Sequence, residues 1–208
     1  MTDPETRSWW SLPADDLWIF DKLLTARRLG YRCGPSGIDV PHAGEYVVRP
    51  AVNVLGMGRG AQVRYLADST DHLPVGTFWC ERFVGEHLSV DYAAGEPVLT
   101  VRGVREPTAP LWRWSWWERV TDGGLPLPGA IADLAAHWPR LNVEYVGGRA
   151  IEVHPRWNAS FHDAGYTVAV PVWSDETHEQ AAARYGAPLA AMRYLPDPDW
   201  QRTGFLVR

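Results

Sequence analysis

The stretch LNVEYVGGRAIEVHPRWNASF, residues 141–161, predicts a β-hairpin. Two alternating runs flank Gly147-Gly148, and a two-glycine turn is typical of a tight connection between antiparallel strands. Successive side chains of a strand point to opposite faces, so alternate residues share a face. Four polar residues after the turn occupy alternate positions: Glu152, His154, Arg156 and Asn158. This face of the strand is therefore either solvated or lines a binding site.

The two arms of the hairpin each carry a carboxylate. Counting outward from the turn pairs Glu144 with Ile151, which makes Glu144 and Glu152 near-diagonal neighbours. Carboxylates this close repel each other unless a cation lies between them, and oxygen ligands with an incoming phosphate suit Mg²⁺. The same spacing fits a solvated hairpin face on which Arg156 neutralises a glutamate. Both interpretations stay open on spacing alone.

The composition is that of a globular chain long enough for one domain or two small lobes: 208 residues with a net charge of −5. That charge argues against non-specific nucleic-acid binding, which needs a basic surface. Two cysteines, Cys33 and Cys80, are too few for a disulfide framework. The N-terminus lacks a signal-peptide pattern, and no apolar run approaches the ~18 residues that span a bilayer. We therefore expect a soluble, cytoplasmic protein.

Twelve tryptophans are the unusual feature of the composition, and LWRWSWWERV, residues 111–120, predicts a strand that holds four of them. Period-2 spacing would place Trp112, Trp114 and Trp116 on one face. Large rings of this kind pack a core, and they also form stacking platforms for an aromatic ligand. Core packing is the simpler interpretation.

Elsewhere the pattern alternates between short strands and separate helices. Apolar residues at helical spacing predict helices over 15–29, 128–138 and 175–186. Several short alternating runs between them predict antiparallel strands. Separate helices with antiparallel strands indicate the α+β class.

The glycine-rich segment GMGRGA, residues 56–61, is not a dinucleotide fingerprint, because a strand-like run follows it where that motif requires a helix. It is either a flexible turn or a loop whose backbone N–H groups hold phosphates.

Taken in order, four segments resemble the ATP-grasp superfamily from about residue 21 to residue 161, as in biotin carboxylase and the D-alanine–D-alanine ligases. They are similar to its opening helix and following loop, its phosphate-binding strand and flap, its adenine-binding hinge and its metal-binding hairpin: DKLLTARRLGY…GIDVP, EYVVRPAVNVLGMGRGA, FWCERFVGEHLSVDYAAGEPV and LNVEYVGGRAIEVHPRWNASF. The resemblance implies two small α+β lobes with antiparallel sheets that clasp a nucleotide. The implied lobes are residues 1–80 and 81–165, with a C-terminal extension at 166–208.

The resemblance also implies roles for individual residues. The metal ligands for Mg²⁺, or for Mn²⁺, would be Glu144, Glu152 and His154. The phosphate side would be contacted by Lys22 and Arg49, and the transferred phosphoryl group by Arg156. The flap would consist of Gly56, Gly58, Arg59 and Gly60. The adenine and ribose side would be lined by Cys80, Glu81, Phe83, Val84 and His87.

Four departures from the family pattern are visible. Arg49 replaces a lysine and can bind phosphate bidentately. His154 replaces an asparagine, and imidazole suits softer ions than Mg²⁺. His87 stands near the usual ribose-binding glutamate. Only about twenty residues precede Lys22, where family members carry a further domain, so the acceptor site would come from the tail, a second subunit of a homo-oligomer or the acceptor macromolecule.

The implied function is an ATP-dependent carboxylate–amine ligase that forms an acyl phosphate from Mg-ATP. The expected partners are ATP and an unidentified carboxylate and amine, with neither a membrane nor nucleic acid. Two alternatives remain: an ATP-grasp-type kinase that phosphorylates a hydroxyl, and a non-catalytic nucleotide-binding or interaction protein.

Overall fold

The computed structural model describes residues 12–52, 58–121, 124–162 and 164–208. Twelve strands are found in these ranges: Cys33–Pro35 (β1), Gly44–Pro50 (β2), Gln62–Leu66 (β3), Thr77–Glu81 (β4), His87–Ala93 (β5), Glu96–Val104 (β6), Trp116–Val120 (β7), Arg140–Val146 (β8), Arg149–His154 (β9), Val168–Trp173 (β10), Arg193–Asp199 (β11) and Arg202–Val207 (β12). The α-helices there are Lys22–Arg28 (α1), Leu134–His137 (α2), Ala159–His162 (α3) and His178–Tyr185 (α4). Short 3₁₀ helices cover Ala14–Phe20, Gly129–Ile131 and Leu189–Ala191.

The strands form two antiparallel sheets, which confirms the α+β prediction. The small sheet has the order β1-β4-β2-β3, and the large sheet has the order β11-β12-β10-β7-β6-β5-β8-β9. Strands β10, β11 and β12 come from the tail and pair onto β7, so the tail completes the large sheet. Of the helices in the described ranges, none is both long and apolar enough to cross a membrane.

The helix predicted over 15–29 is divided in the structure. Asp21 has an extended backbone, and its carboxylate accepts hydrogen bonds from the N–H groups of Leu23 and Leu24, at 2.8 and 3.0 Å. Such an N-cap starts a new helix. The capped helix α1 therefore begins at Lys22, and it is followed as predicted by Gly30, whose φ is +76°.

The predicted tryptophan-rich strand is also shorter than expected. Strand β7 begins only at Trp116, because residues 111–115 form a turn that is held to β6 by the bond from Ser115 N–H to the Val104 carbonyl. The period-2 prediction for Trp112 and Trp114 was therefore wrong.

The hairpin forms as predicted around Gly147-Gly148, with one change of register. A shift between Glu144 and Tyr145 leaves Ile151 without a partner, so Glu144 lies directly opposite Glu152. An extra residue in one strand is a β-bulge. The predicted pairing of Glu144 with Ile151 was wrong for this reason, and the two carboxylates are closer in register than the sequence count implied.

The alternation of these strands separates a core face from a polar face. Val90, Val143 and Val153, on neighbouring strands, are at most 2% exposed and pack in the largest core cluster with Trp18 and Ile19 of the N-terminal 3₁₀ helix. Alternate residues of the same strands point the other way, towards the small sheet. The polar face of the hairpin is therefore turned into the molecule.

Two glycines hold the hairpin turn against the loop after β4. A Cβ on Gly147 would lie 2.3 Å from the Val84 carbonyl oxygen, and a Cβ on Gly85 would lie 2.6 Å from the Cα of Gly147. The Gly147 N–H also donates to the Glu86 carbonyl at 2.9 Å. This backbone-to-backbone contact fixes residues 81–86 beside the hairpin.

Replacement of Gly147 by alanine tests this contact. Both turn glycines have positive φ, but Gly148 has open space around it, whereas Gly147 does not. We expect Gly148→Ala to lower the free energy of unfolding by about 1 kcal/mol from backbone strain alone. Gly147→Ala should cost about 2 kcal/mol more because of the clash with Val84. Chemical denaturation measures both free energies of unfolding. Equal losses in the two variants would contradict the close contact between Gly147 and Val84.

Candidate active site

A cleft of about 1420 Å³ lies between the two sheets. Fourteen of the residues that the sequence assigned to a site line it: Lys22, Arg49, Gly58, Arg59, Gly60, Cys80, Glu81, Phe83, Val84, His87, Glu144, Glu152, His154 and Arg156. Gly56 lies outside the described residues. The structure thus brings together residues that are up to 134 positions apart, from Lys22 to Arg156.

The cleft is basic although the chain is acidic. Eight lysine and arginine residues line it, against five glutamates, whereas the whole chain has a net charge of −5. A concave surface with a net positive lining attracts ligands of the opposite charge. The cleft is therefore suited to an anionic ligand.

Lys22 and Glu152 form a buried ion pair at the base of the cleft. The Nζ atom of Lys22 lies 3.0 Å from Oε2 of Glu152, with side-chain exposures of 6% and 11%. The N-cap at Asp21 and a 2.7 Å bond from the Lys22 N–H to the Ala51 carbonyl fix the start of α1. Removal of one partner from a buried pair leaves an uncompensated charge, so each side chain constrains the other.

The second carboxylate, Glu144, has a different partner. Oε2 of Glu144 lies 3.3 Å from Nε2 of His87. Burial alone would raise the pKa of Glu144, but the contact with His87 and the charges of His154 and Lys22 hold that pKa below its ordinary value. Glu144 is therefore a carboxylate at neutral pH.

His154 lies beside the carboxylates, with Nε2 3.7 Å from Oε1 of Glu152. Among the described residues, no three aspartate, glutamate, histidine or cysteine side chains converge closely enough to hold a metal ion by themselves. The hard oxygen donors of Glu144 and Glu152 nevertheless fit Mg²⁺, which commonly takes one or two carboxylates and completes its shell with phosphate and water oxygens.

Arg49 reaches from β2 to the hairpin. Its Nη2 atom donates to the carbonyl of the bulged residue Ile151 at 2.9 Å, and its guanidinium lies 5.3 Å from the Phe78 ring centre. The Nε atom of Arg49 is buried and has no hydrogen-bond partner within the described residues. A buried donor without a partner is costly, so this group is suited to an anionic oxygen in the cleft.

Arg59, in the described part of the glycine-rich segment, has protein partners in the tail. Its Nη2 lies 3.4 Å from Oδ1 of Asp199, and its guanidinium lies 5.4 Å from the Trp200 ring centre. The segment predicted as a phosphate flap therefore touches the β11–β12 turn.

The loop after β4 lines the cleft with residues 81–86. The Glu81 carboxylate accepts bonds from the Arg32 N–H and guanidinium, at 3.0 and 3.2 Å, and so turns towards β1. Phe83 packs edge-on against Tyr31, at 4.7 Å between ring centres. Burial raises the pKa of the Cys80 thiol to about 12, which keeps it neutral.

A buried polar group that the sequence analysis missed supports the far side of the hairpin. The Asp91 carboxylate accepts bonds from Nδ2 of Asn142 at 2.8 Å and from the Asn158 N–H at 2.9 Å. Burial raises the pKa of Asp91 despite these bonds. By holding Asn158, Asp91 fixes the chain that carries Arg156. The sequence feature that could have revealed Asp91 is its position as a lone acid in the run HLSVDYA, at a spacing that places it on the same strand face as His87.

No protein-family model matches the sequence, and no curated protein matches it. Solved structures do match. The L-amino acid ligase from Bacillus licheniformis is 12% identical, with a TM-score of 0.51 over 91% of this chain and 66% of its own. The carboxyaminoimidazole ribonucleotide synthase from Aspergillus clavatus, complexed with ATP, is 10% identical, with a TM-score of 0.50 over 97% and 72%.

An ATP-grasp superfamily protein from Archaeoglobus fulgidus is 13% identical, with a TM-score of 0.49 over 91% of this chain. The present chain spans 64% of the length of that protein. At such identities the likeness concerns the fold, and it reaches beyond residues 21–161 into the tail.

The environment of Glu144 predicts how stability depends on pH. Its folded-state pKa is below the unfolded value, so its contribution is full above the unfolded pKa and is lost as the pH falls towards the folded one. Between pH 7 and pH 3, the free energy of unfolding should therefore fall more steeply in the wild type than in Glu144→Gln. The exposed Glu96→Gln is the matched control and should follow the wild type. If the free energy of unfolding of Glu144→Gln fell with pH as steeply as that of the wild type, the lowered pKa of Glu144 would be contradicted.

Proposed function

We propose that this chain, which has the ATP-grasp fold, is an ATP-dependent carboxylate–amine ligase of the cytoplasm that works through an acyl phosphate. One observation carries the proposal. The predicted phosphate, adenine and metal residues come from separate segments, and all those within the described ranges line a single basic cleft.

The proposed nucleotide lies with its adenine against residues 80–84 and its ribose towards His87. Its phosphates meet Lys22 and Arg49, with the backbone of residues 58–60 above them. Support comes from the unpartnered Nε of Arg49 and from the excess of basic side chains. A triphosphate at this place would compete with Glu152 for Lys22, which now contacts that carboxylate at 3.0 Å.

Glu144 and Glu152 would hold the divalent cation, which supplies charge neutralisation to the phosphates. Their direct opposition across the hairpin supports this assignment. His154 lies close enough to stabilise Glu152, or to favour Mn²⁺ over Mg²⁺.

In the proposed reaction, an oxygen of the substrate carboxylate attacks the γ-phosphorus, and the bond from that phosphorus to the bridging oxygen of ADP breaks. An amine then attacks the acyl carbon, a C–N bond forms and inorganic phosphate leaves. Arg156 and Arg49 neutralise the negative charge on the transferred group and fix its position. The chain needs no side-chain nucleophile for this chemistry.

One observation favours a second candidate, a nucleotide-binding protein without catalysis. The carboxylates expected to bind metal already have basic side chains of the protein as partners, Lys22 and His87. Ligation and simple binding differ in turnover: a ligase releases free phosphate only when carboxylate and amine are both present.

Calorimetric titration with ADP tests the nucleotide site. The wild type should bind ADP with Mg²⁺, and Glu152→Gln should bind at least about tenfold more weakly, because a charged ligand of the metal is lost. Glu96→Gln is the control for the loss of a carboxylate outside the cleft.

Because Glu152→Gln leaves Lys22 buried without its partner, the titrations are run well below the unfolding temperature of each variant. Tighter binding with Mn²⁺ than with Mg²⁺ would implicate His154. Binding that is independent of metal and unchanged in Glu152→Gln would refute the proposed site.

A further inference from the structure

The cleft continues beyond His87 into a region that differs in chemistry from the proposed nucleotide site. Its volume of about 1420 Å³ exceeds the 300–1,000 Å³ of ordinary small-molecule pockets, so a second ligand has room beside a nucleotide. This region, here called the tryptophan subsite, is lined by Arg105, Trp112, Trp114, Trp117, Trp173 and Phe205. Strands β7, β10 and β12 and the loop after β6 supply these residues.

The aromatic surface of the subsite is preformed. His87, Gly103 and Trp117 lie directly opposite one another on β5, β6 and β7. A Cβ on Gly103 would lie 2.8 Å from the rings of both Trp114 and Trp117, so a glycine here lets the two indoles rest on the strand. The His87 ring centre lies 4.5 Å from that of Trp114 and 5.4 Å from that of Trp117.

The indole N–H groups of the subsite are not all bonded within the protein. A buried indole normally donates a hydrogen bond. The indoles of Trp79, Trp138 and Trp157 donate to a backbone or carboxylate oxygen, and so does that of Trp173 in the subsite, which donates to the Trp114 carbonyl at 3.2 Å. Within the described residues, the indoles of Trp112, Trp114 and Trp117 make no such bond, and their nitrogens are not among the buried polar atoms without a partner. Their N–H groups are therefore accessible, and a ligand in the subsite can accept hydrogen bonds from them.

Arg105 adds a charge to the subsite. Its Nη1 donates to the carbonyls of Glu106 and Ala109, at 3.3 and 2.7 Å. It makes no ion pair with a carboxylate of the described residues. The other arginines in or beside this part of the cleft each contact one: Arg59, Arg102, Arg113 and Arg202. The positive charge of Arg105 is therefore uncompensated and suits a ligand carboxylate.

We propose that the tryptophan subsite binds the amine substrate, and that this substrate is an α-amino acid with an aromatic side chain. The ring lies on Trp114 and Trp117, and the free carboxylate lies on Arg105. The inference rests on the proposed ligase function. The amine nitrogen attacks the carbonyl carbon of the acyl phosphate, the C–N bond forms, the C–O bond to phosphorus breaks, and the amine proton leaves with solvent as inorganic phosphate is released.

The test is calorimetric titration of the full chain, saturated with ADP and Mg²⁺, with single amino acids. L-Phenylalanine and L-tryptophan should bind at least about tenfold more tightly than L-alanine and L-cyclohexylalanine, because only the planar rings stack on indoles. Trp117→Leu should lose that preference, and Trp117→Phe should keep it. Trp138→Phe, outside the cleft, is the control for the loss of an indole.

Arg105 is tested with a ligand that lacks the carboxylate. Arg105→Gln should weaken L-phenylalanine binding at least about tenfold and leave L-phenylalaninol unaffected. Equal binding of all amino acids, or a loss of ADP affinity in Trp117→Leu, would overturn the inference and leave the ligase proposal standing. No binding of ADP to the wild type would overturn both.

Discussion

The opposition of Glu144 and Glu152 across the bulged hairpin is the constraint around which the cleft is organised. Two carboxylates in register repel each other, so each needs a partner that offsets its charge. Lys22 reaches Glu152 from the start of α1, and His87 reaches Glu144 from β5. The N-cap that begins α1 and the register of β5 against β8 therefore serve the same electrostatic requirement. In the proposed complex, Lys22 would turn from Glu152 to the phosphates of the nucleotide, and His87 would lie towards its ribose.

Close packing is a second constraint, and it sets the width of the cleft at the end beside the hairpin turn. The contact between Gly85 and Gly147 admits no side chain, so the loop after β4 and the hairpin turn sit backbone against backbone. The other end of the cleft is built differently, by indole rings that cross Gly103. Glycines thus allow close approach at both ends, and the polar and aromatic surfaces meet at His87.

Much of this arrangement could be predicted from the sequence, because alternation and glycine turns are local signals. The hairpin, its polar face and the residues of the cleft followed from spacing and from the order of four segments. The bulge at Ile151 could not be predicted, since counting assumes an unbroken ladder. The new helix start at Lys22 depends on the Asp21 side chain bonding to the backbone rather than extending one helix. Asp91 was missed because its partner Asn158 is 67 positions away in the chain.

A crystal structure with Mg²⁺ and a non-hydrolysable ATP analogue would test the central claim most directly. The account predicts adenine against residues 80–84, phosphates on Lys22 and Arg49, and metal bound by Glu144 and Glu152, with Lys22 turned from Glu152 to the phosphates. A nucleotide bound elsewhere, or bound in the cleft with both carboxylates still paired to Lys22 and His87 and no metal on them, would contradict it.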